Sequence, residues 1–276
     1  MLLGPISVDR YLDERLVLPG GGALNMAYHW SRLGVPFHFL TRIGSDEAPV
    51  VLSFLQRHAI EFTPELVVSG GTTASIDIVI GDDRQPWMDN FVPGVWHDLR
   101  LSAAEESALC SATHAHAVLV DPVVSEVHRL GDADRLDGVA FSGDFLSFRR
   151  YSVERFTSTM QHLSLGFIGW PGDADDARIA AIRDVAFDLH RVVVVTMGAR
   201  STLVFDGRDR PIAQEYPINA VSVRGTTVGC GDAFIAAFLA SWWCRADITD
   251  AVHAGQRAGA SATAWRRPLP DEAYGR

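Results

Sequence analysis

Lysine is absent from all 276 residues, so the 24 basic side chains are arginines. A Walker A loop needs a lysine on the β- and γ-phosphates, and a protein kinase needs one on its third strand. Both common ATP-handling designs are therefore excluded, and Schiff-base lysine chemistry goes with them. Phosphoryl transfer, if it occurs, must rely on backbone amides, a metal ion and arginine. Cysteine is scarce as well: Cys110, Cys230 and Cys244 show neither an even count nor metal-ligand spacing. That fits a reducing, cytoplasmic setting. No apolar stretch reaches the roughly 18 residues of a membrane span. A first strand expected immediately after Met1 leaves no room for a signal peptide. Positive charge is in deficit, at a net −10, which disfavours nucleic acid and anionic membrane as partners. An anionic substrate would need local positive potential from helix termini and Mg2+.

What is present describes a globular chain: 47% apolar and 21% charged, without low-complexity tracts. The length suits one domain with a small appendage. Strands are expected over 2–9, 37–43, 115–121, 138–142, 165–169 and 191–196. Helices are expected over 22–33 (closed by Gly34), 46–58, 102–109, from Ser125, 153–163 and 173–189. Such alternation builds an α/β fold, with a mostly parallel sheet covered by helices and ligands at the carboxyl ends of the strands. Residues 61–90 break the rhythm, with β-branched alternation over 72–80 and a turn at Gly81-Asp82-Asp83-Arg84. They read as a hairpin projecting as a lid.

Gly229-Cys230-Gly231-Asp232-Ala233-Phe234 carries the densest chemistry. The apolar run after it, 235–243, has no Pro or Gly and reads as a buried helix. Its unpaired first-turn N–H groups and dipole can hold phosphate oxygens, and the glycines let the backbone approach an anion closely. Asp232 then stands beside a transferring phosphoryl group, able to take a proton from an attacking hydroxyl. A carboxylate at a helix start is also an ordinary N-cap.

A second constellation is Gly20-Gly21-Gly22-Ala23-Leu24-Asn25-Met26-Ala27, following a strand that carries Asp9. Asp9 and Asn25 are short polar side chains suited to sugar hydroxyls. Alternatively the glycines are only a loop and Asn25 a helix-start residue. A dinucleotide fingerprint fails, because its third Gly would fall on Asn25.

The order of these segments resembles the ribokinase/PfkB family of carbohydrate kinases. Gly4-x4-Asp9, Gly20-Gly21-x3-Asn25-x-Ala27 and Arg42-Ile43-Gly44-Ser45-Asp46 are similar to its N-terminal pattern. Thr227-Val228-Gly229-Cys230-Gly231-Asp232-Ala233-Phe234 is similar to its C-terminal signature, and Val192-Val193-Val194-Val195-Thr196-Met197-Gly198 to the strand and loop before the nucleotide. The resemblance implies a ribokinase-like three-layer α/β sandwich over residues 1–276, a single domain with a β lid from about 10–19 and 61–98. It implies Mg·ATP-dependent phosphorylation of a sugar hydroxyl, with Asp232 as base and the amides of Gly229, Cys230 and Gly231 as anion hole. Asp9, Gly20, Gly21 and Asn25 would hold the sugar, with Arg84 either a further contact or a mere turn residue. Thr196, Gly198 and the helix carrying His253 and Ala260 would meet ATP. The lid suggests a homodimer in which one β layer covers its neighbour.

Several positions depart from the family pattern. The Asp that usually opens the C-terminal signature is here Gly225 or Thr226, which places K+ activation in doubt. The Asn-x-x-Glu pattern that organises Mg2+ waters has no counterpart in Gly169-Trp170-Pro171-Gly172-Asp173-Ala174-Asp175-Asp176. Asp173 or Asp175 is either its substitute or a solvated helix start, so the metal ligands stay unassigned. Pro49 and Ser201 stand where glycines are usual. Residues 94–102 most resemble the fructoselysine kinase branch, and Asp77, Asp82, Asp83 or Asp89 on the lid could meet a substrate amine or simply be solvated. His114 and His116 read as strand residues rather than metal ligands, Trp242 and Trp243 as core aromatics, and Cys230 as a backbone amide rather than a nucleophile. A nucleoside or small-alcohol kinase, and a sugar sensor without activity, are the competing readings.

Overall fold

Pro5 divides the first expected strand. It has no N–H to give a ladder, and residues 2–9 form β1 (Leu2–Leu3) and β2 (Ser7–Tyr11) instead. β3 (Leu16–Gly20), not anticipated from the sequence, returns antiparallel to β2 and leads into α1 (Gly22–Leu33), which Gly34 closes in the left-handed region at φ 69°. The strand expected over 37–43 is likewise two short pieces, β4 (Phe39–Leu40) and β5 (Ile43–Gly44), followed by α2 (Ala48–Arg57). β6 (Val67–Val68) pairs with β5, and β7 (Ala74–Ile80) and β8 (Pro86–Val92) make the expected hairpin. Its turn places Arg84 at φ 61°, with the Arg84 N–H on the Gly81 carbonyl at 2.8 Å.

The computed structural model describes residues 1–276, the side chain of Pro64 excepted. Two compact units emerge, one continuous (Arg100–Ala220, with Met1) and one split (Leu2–Leu99 with Val221–Arg276).

In the continuous unit the elements are α3 (Ala103–Cys110), β9 (His114–Val118), α4 (Asp121–Gly131), β10 (Ala140–Ser147), α5 (Val153–Met160) and β11 (Leu165–Gly169). They continue as α6 (Ala177–Asp188), β12 (Val192–Thr196), β13 (Ser201–Asp206) and β14 (Ile212–Pro217). The strands lie in the order β14-β13-β12-β11-β10-β9. β9 to β12 run parallel and β12 to β14 antiparallel. Val192 to Val195 are all buried, the mark of a strand covered on both faces. Helix starts follow capping chemistry: Ser102 and Glu105 form a capping box on α3, and Asp176 caps α6. Because Asp176 is the cap, α6 starts at Ala177 and not at Asp173.

The split unit holds the second sheet, in the order β3-β2-β7-β8, and closes with α7 (Cys230–Arg245) and α8 (Ile248–Ala262). α7 is its central helix. Ala233, Phe234, Ile235, Ala236, Phe238 and Leu239 are buried, each large side chain contributing about 1.5–3 kcal/mol. Trp30 of α1 donates its indole N–H to the Ala236 carbonyl at 3.0 Å. Gly255 lets α8 approach the Phe234 ring, 2.8 Å from where a Cβ would lie. Trp242 and Trp243 are half-buried packing aromatics, Trp243 at 5.1 Å from Trp30 between ring centroids.

Candidate active site

The start of α7 is shaped by two glycines with different constraints. Gly229, the N-cap, sits at φ 75°, and a Cβ there would lie 2.6 Å from the Pro268 Cα. Only glycine fits both the conformation and the contact. Gly231 is exposed, with nothing within 4 Å of a hypothetical Cβ, so the first turn opens on free space. The Cys230 N–H reaches the Thr227 carbonyl at 3.3 Å. Its thiol, pushed up to about 12 by burial and then by the Asp232 charge, stays protonated and inert.

Asp232 lies in the first turn but caps nothing; Gly229 is the cap residue. The half-buried carboxylate instead accepts a hydrogen bond at Oδ2 from Asn25 Nδ2, 2.7 Å away on the first turns of α1. Desolvation raises its pKa to about 6, against the lowering effect of the Asn25 bond. An ionised carboxylate only accepts, so the amide NH2 must face it and Asn25 Oδ1 points away. That Oδ1 is buried and has no hydrogen-bond partner among the described residues.

Asp9 projects from the middle of β2, only 4% exposed. Ser7 donates its hydroxyl to Asp9 Oδ1 at 2.9 Å. The carboxylate lies across Gly20, where a Cβ would fall 2.1 Å from Oδ2, and Gly21 turns away at φ 93°. Burial raises Asp9 to about 7; the Ser7 bond opposes this, and the Asp232 charge adds to it. Asp9, Asn25, Asp232, Gly20 and Gly21 thus belong to one unit, in which the Asp232 charge adds to the raised pKa of Asp9.

Sequence reasoning overlooked three neighbours. Tyr11 shares the face of β2 with Ser7 and Asp9, since alternate residues point the same way. Its buried hydroxyl has no partner among the described residues, and burial and the Asp9 charge raise its pKa. Tyr274 is raised by the same two causes in the same order. Arg267, 4% exposed, lies over the Tyr11 ring at 5.6 Å and is ion-paired with Glu14 and Asp271. The Ser7-x-Asp9-x-Tyr11 alternation was legible; the Arg267–Glu14 pair, 253 residues apart, was not.

Arg84 is held at the hairpin turn by contacts to residues 223 and 226. Its guanidinium bonds the Val223 carbonyl, its own carbonyl accepts from Thr226 Oγ1 at 3.1 Å, and neighbouring Gln85 accepts from Thr227 Oγ1 at 2.9 Å. The β7–β8 hairpin turn is therefore fastened to the segment that opens the C-terminal signature. Gly225 admits no side chain, because a Cβ would fall 1.9 Å from the Trp265 carbonyl oxygen, and Thr226 is wholly buried.

Thr196 ends β12 and Gly198 follows at φ 65°, both in the continuous unit; exposed His253 and half-buried Ala260 lie on α8 in the split unit. The acidic stretch before α6 is engaged in local contacts: Arg200 pairs with Asp173 at 3.1 Å, and Asp176 with Arg178 at 2.6 Å. Between β7 and β8, Asp77 accepts from Asn90 at 3.0 Å. His116 is buried against Ser142 at 2.9 Å, and the His114 carbonyl accepts from the Met1 ammonium at 2.8 Å. No helix among the described residues is long and apolar enough to cross a membrane.

Residues 13–265 match the model of the pfkB family carbohydrate kinases, and the chain belongs to that family. It is an ATP-dependent carbohydrate kinase. It is 24% identical to fructoselysine 6-kinase of Escherichia coli (strain K12), over 92% of each chain. It is 26% identical to fructosamine kinase FrlD of Bacillus subtilis (strain 168), over 91% of this chain and 85% of that one. Among solved structures it is similar to a fructokinase double mutant from Vibrio cholerae O395 in a fructose-, ADP- and potassium-bound form. The TM-score is 0.73 at 20% identity, covering 99% of this chain and 96% of that one. The fold is ribokinase-like α/β, with a mostly parallel sheet between helices.

Proposed function

We propose that Asp232 takes the proton from a sugar hydroxyl as that oxygen attacks the γ-phosphate of ATP. The O–H bond breaks toward the carboxylate, the O–P bond forms, and ADP leaves in line. The amides of Gly229 and Gly231, and that of Cys230 shared with the Thr227 carbonyl, donate to the developing charge, while Asp9, Gly20, Gly21 and Asn25 hold the sugar. In the continuous unit, Thr196 and Gly198 meet the nucleotide. The acceptor is a fructosamine-type adduct, as in the names of both curated relatives, or a ketose.

The observation that carries this reading is the Asn25 amide. Its nitrogen holds Asp232 while its oxygen is a buried acceptor without a partner, a state costing about 1–3 kcal/mol. A substrate hydroxyl donating to Oδ1 relieves that cost and brings a polyol beside the base. Tyr11, with its own unpartnered hydroxyl, extends the same polar surface.

When bound with ATP, Mg2+ would supply charge neutralisation at the phosphates. Of the two acidic candidates before α6, Asp173 is paired with Arg200, and Asp175 is the residue that would meet the metal. With glycine at 225 and a buried threonine at 226, turnover is expected to proceed without K+.

An ADP-release assay with Mg·ATP, with and without K+, tests the reading across fructose, tagatose, ribose, fructoselysine, related amine adducts and ribonucleosides. Turnover of a fructosamine-type adduct or ketose supports it. Turnover of ribonucleosides alone would replace the substrate class, and sugar binding without ADP release would indicate a sensor.

A further inference from the structure

The face between α4 and the turn after α5 carries a cluster that phosphoryl transfer does not use. His128 and Asp132 are four residues apart at the end of α4, hence on one face, and His162 follows α5. One ligand atom from each of the three lies within 4.8 Å of the other two. We propose that His128, Asp132 and His162 bind a borderline transition-metal dication of the zinc class, which clamps α4 to the end of α5.

The surroundings orient both imidazoles. Thr159 is wholly buried, and its hydroxyl donates to the Arg155 carbonyl at 2.8 Å. That hydrogen is thereby committed, so the contact between His128 Nε2 and Thr159 Oγ1 at 3.0 Å must have the imidazole as donor. The tautomer is fixed with hydrogen on Nε2, and Nδ1 keeps its lone pair. A second ring N–H held by a neighbour is how metal-bound histidines are generally oriented.

His162 is fixed from the other side. Gly131 leaves space for its ring, since a Cβ there would fall 2.2 Å from Nδ1. With that edge against α4, Nε2 faces Asp132 Oδ1 at 3.2 Å. Tetrahedral zinc with ~2.0–2.1 Å bonds needs ligand atoms ~3.3 Å apart, which this pair already matches. The two rings meet edge to face at 5.3 Å. Arg155, the cation of α5 nearest the cluster, is paired with Asp121 at 2.6 Å.

Two nitrogens and one carboxylate oxygen select Zn2+, Co2+, Ni2+ or Cu2+ over Mg2+ and Ca2+, which prefer oxygen shells. This metal is therefore chemically distinct from the one that accompanies ATP. Three protein ligands leave a fourth position for water.

The test uses the metal-free full chain without a histidine tag. CoCl2 is titrated in while visible absorption is followed, and ZnCl2 while thermal unfolding is followed. The variants are His128→Gln, His162→Gln, Asp132→Asn and Thr159→Val, each checked for folding by circular dichroism. The proposal expects one saturable equivalent with tetrahedral cobalt bands and a zinc-dependent rise in Tm. Both are lost in either histidine variant, and Asp132→Asn at the exposed ligand weakens binding should a histidine variant fail to fold. Thr159→Val keeps the stoichiometry and lowers affinity about 10–100-fold. Absence of binding overturns the proposal, as does binding with the same affinity in the ligand variants.

Discussion

Asn25 and Asp232, 207 residues apart, meet through a 2.7 Å hydrogen bond from the amide to the carboxylate. The bond favours the ionised form of Asp232 against the desolvation that raises it to about 6. A general base must be deprotonated to act, so kcat/KM is expected to fall as pH drops through about 6 and to level off above. Asn25→Leu removes the lowering contact: the acid limb should move to higher pH and the sugar KM should rise. A pH–rate profile of the two proteins checks this, and an unmoved limb would separate Asn25 from the base.

Asp9 gives a stability prediction of definite sign. Its folded pKa, about 7, lies above the usual carboxylate value. Between those values the folded chain holds a proton that the unfolded chain releases, so stability falls as pH rises through this window. Asp9→Asn removes the penalty and can still accept from Ser7. The variant should be more stable than the parent at pH 8, on the order of 2–4 kcal/mol. The gap should close toward pH 4, even as sugar affinity is lost. Urea unfolding at several pH values measures it.

The two glycines flanking Cys230 should respond oppositely to a methyl group. Gly229→Ala forces alanine into φ 75° with Pro268 at 2.6 Å, and should destabilise by about 1–3 kcal/mol. Gly231→Ala meets no protein atom within 4 Å and sits in a helix, where alanine is favoured by up to about 1 kcal/mol. Its Tm should hold or rise. Its turnover should fall about 100-fold, because the methyl displaces the phosphoryl group. Thermal melts and kcat together distinguish the two.

Much of this was legible because local rules and tertiary structure agree. α1 has its expected bounds and its glycine stop because the apolar period and the left-handed cap coincide. The β7–β8 hairpin followed from β-branched alternation and a glycine turn. Strands 2–9 and 37–43 were read as continuous because apolar composition does not reveal an interruption. Pro5, with its missing N–H, was the local clue to the first. β13 and β14 lie beyond the helix–strand rhythm that ends at Thr196 and lack period-2 alternation, β13 being buried along nearly its whole length and β14 mostly exposed. The constellations around Asn25 and Asp232 stood out separately, but their hydrogen bond depends on how α1 packs against α7. The Arg267 pairs with Glu14 and Asp271, and the fastening of Arg84 to Val223, are long-range or geometric facts of the same kind.

The central claim is that Asp232 is the base. The most direct measurement is kcat for Asp232→Asn with Mg·ATP and the best acceptor found for the parent, alongside ATP binding and thermal unfolding. The account predicts a loss of about 100- to 10,000-fold in kcat, with folding and ATP affinity retained. A variant that turns over within a few-fold of the parent would contradict it.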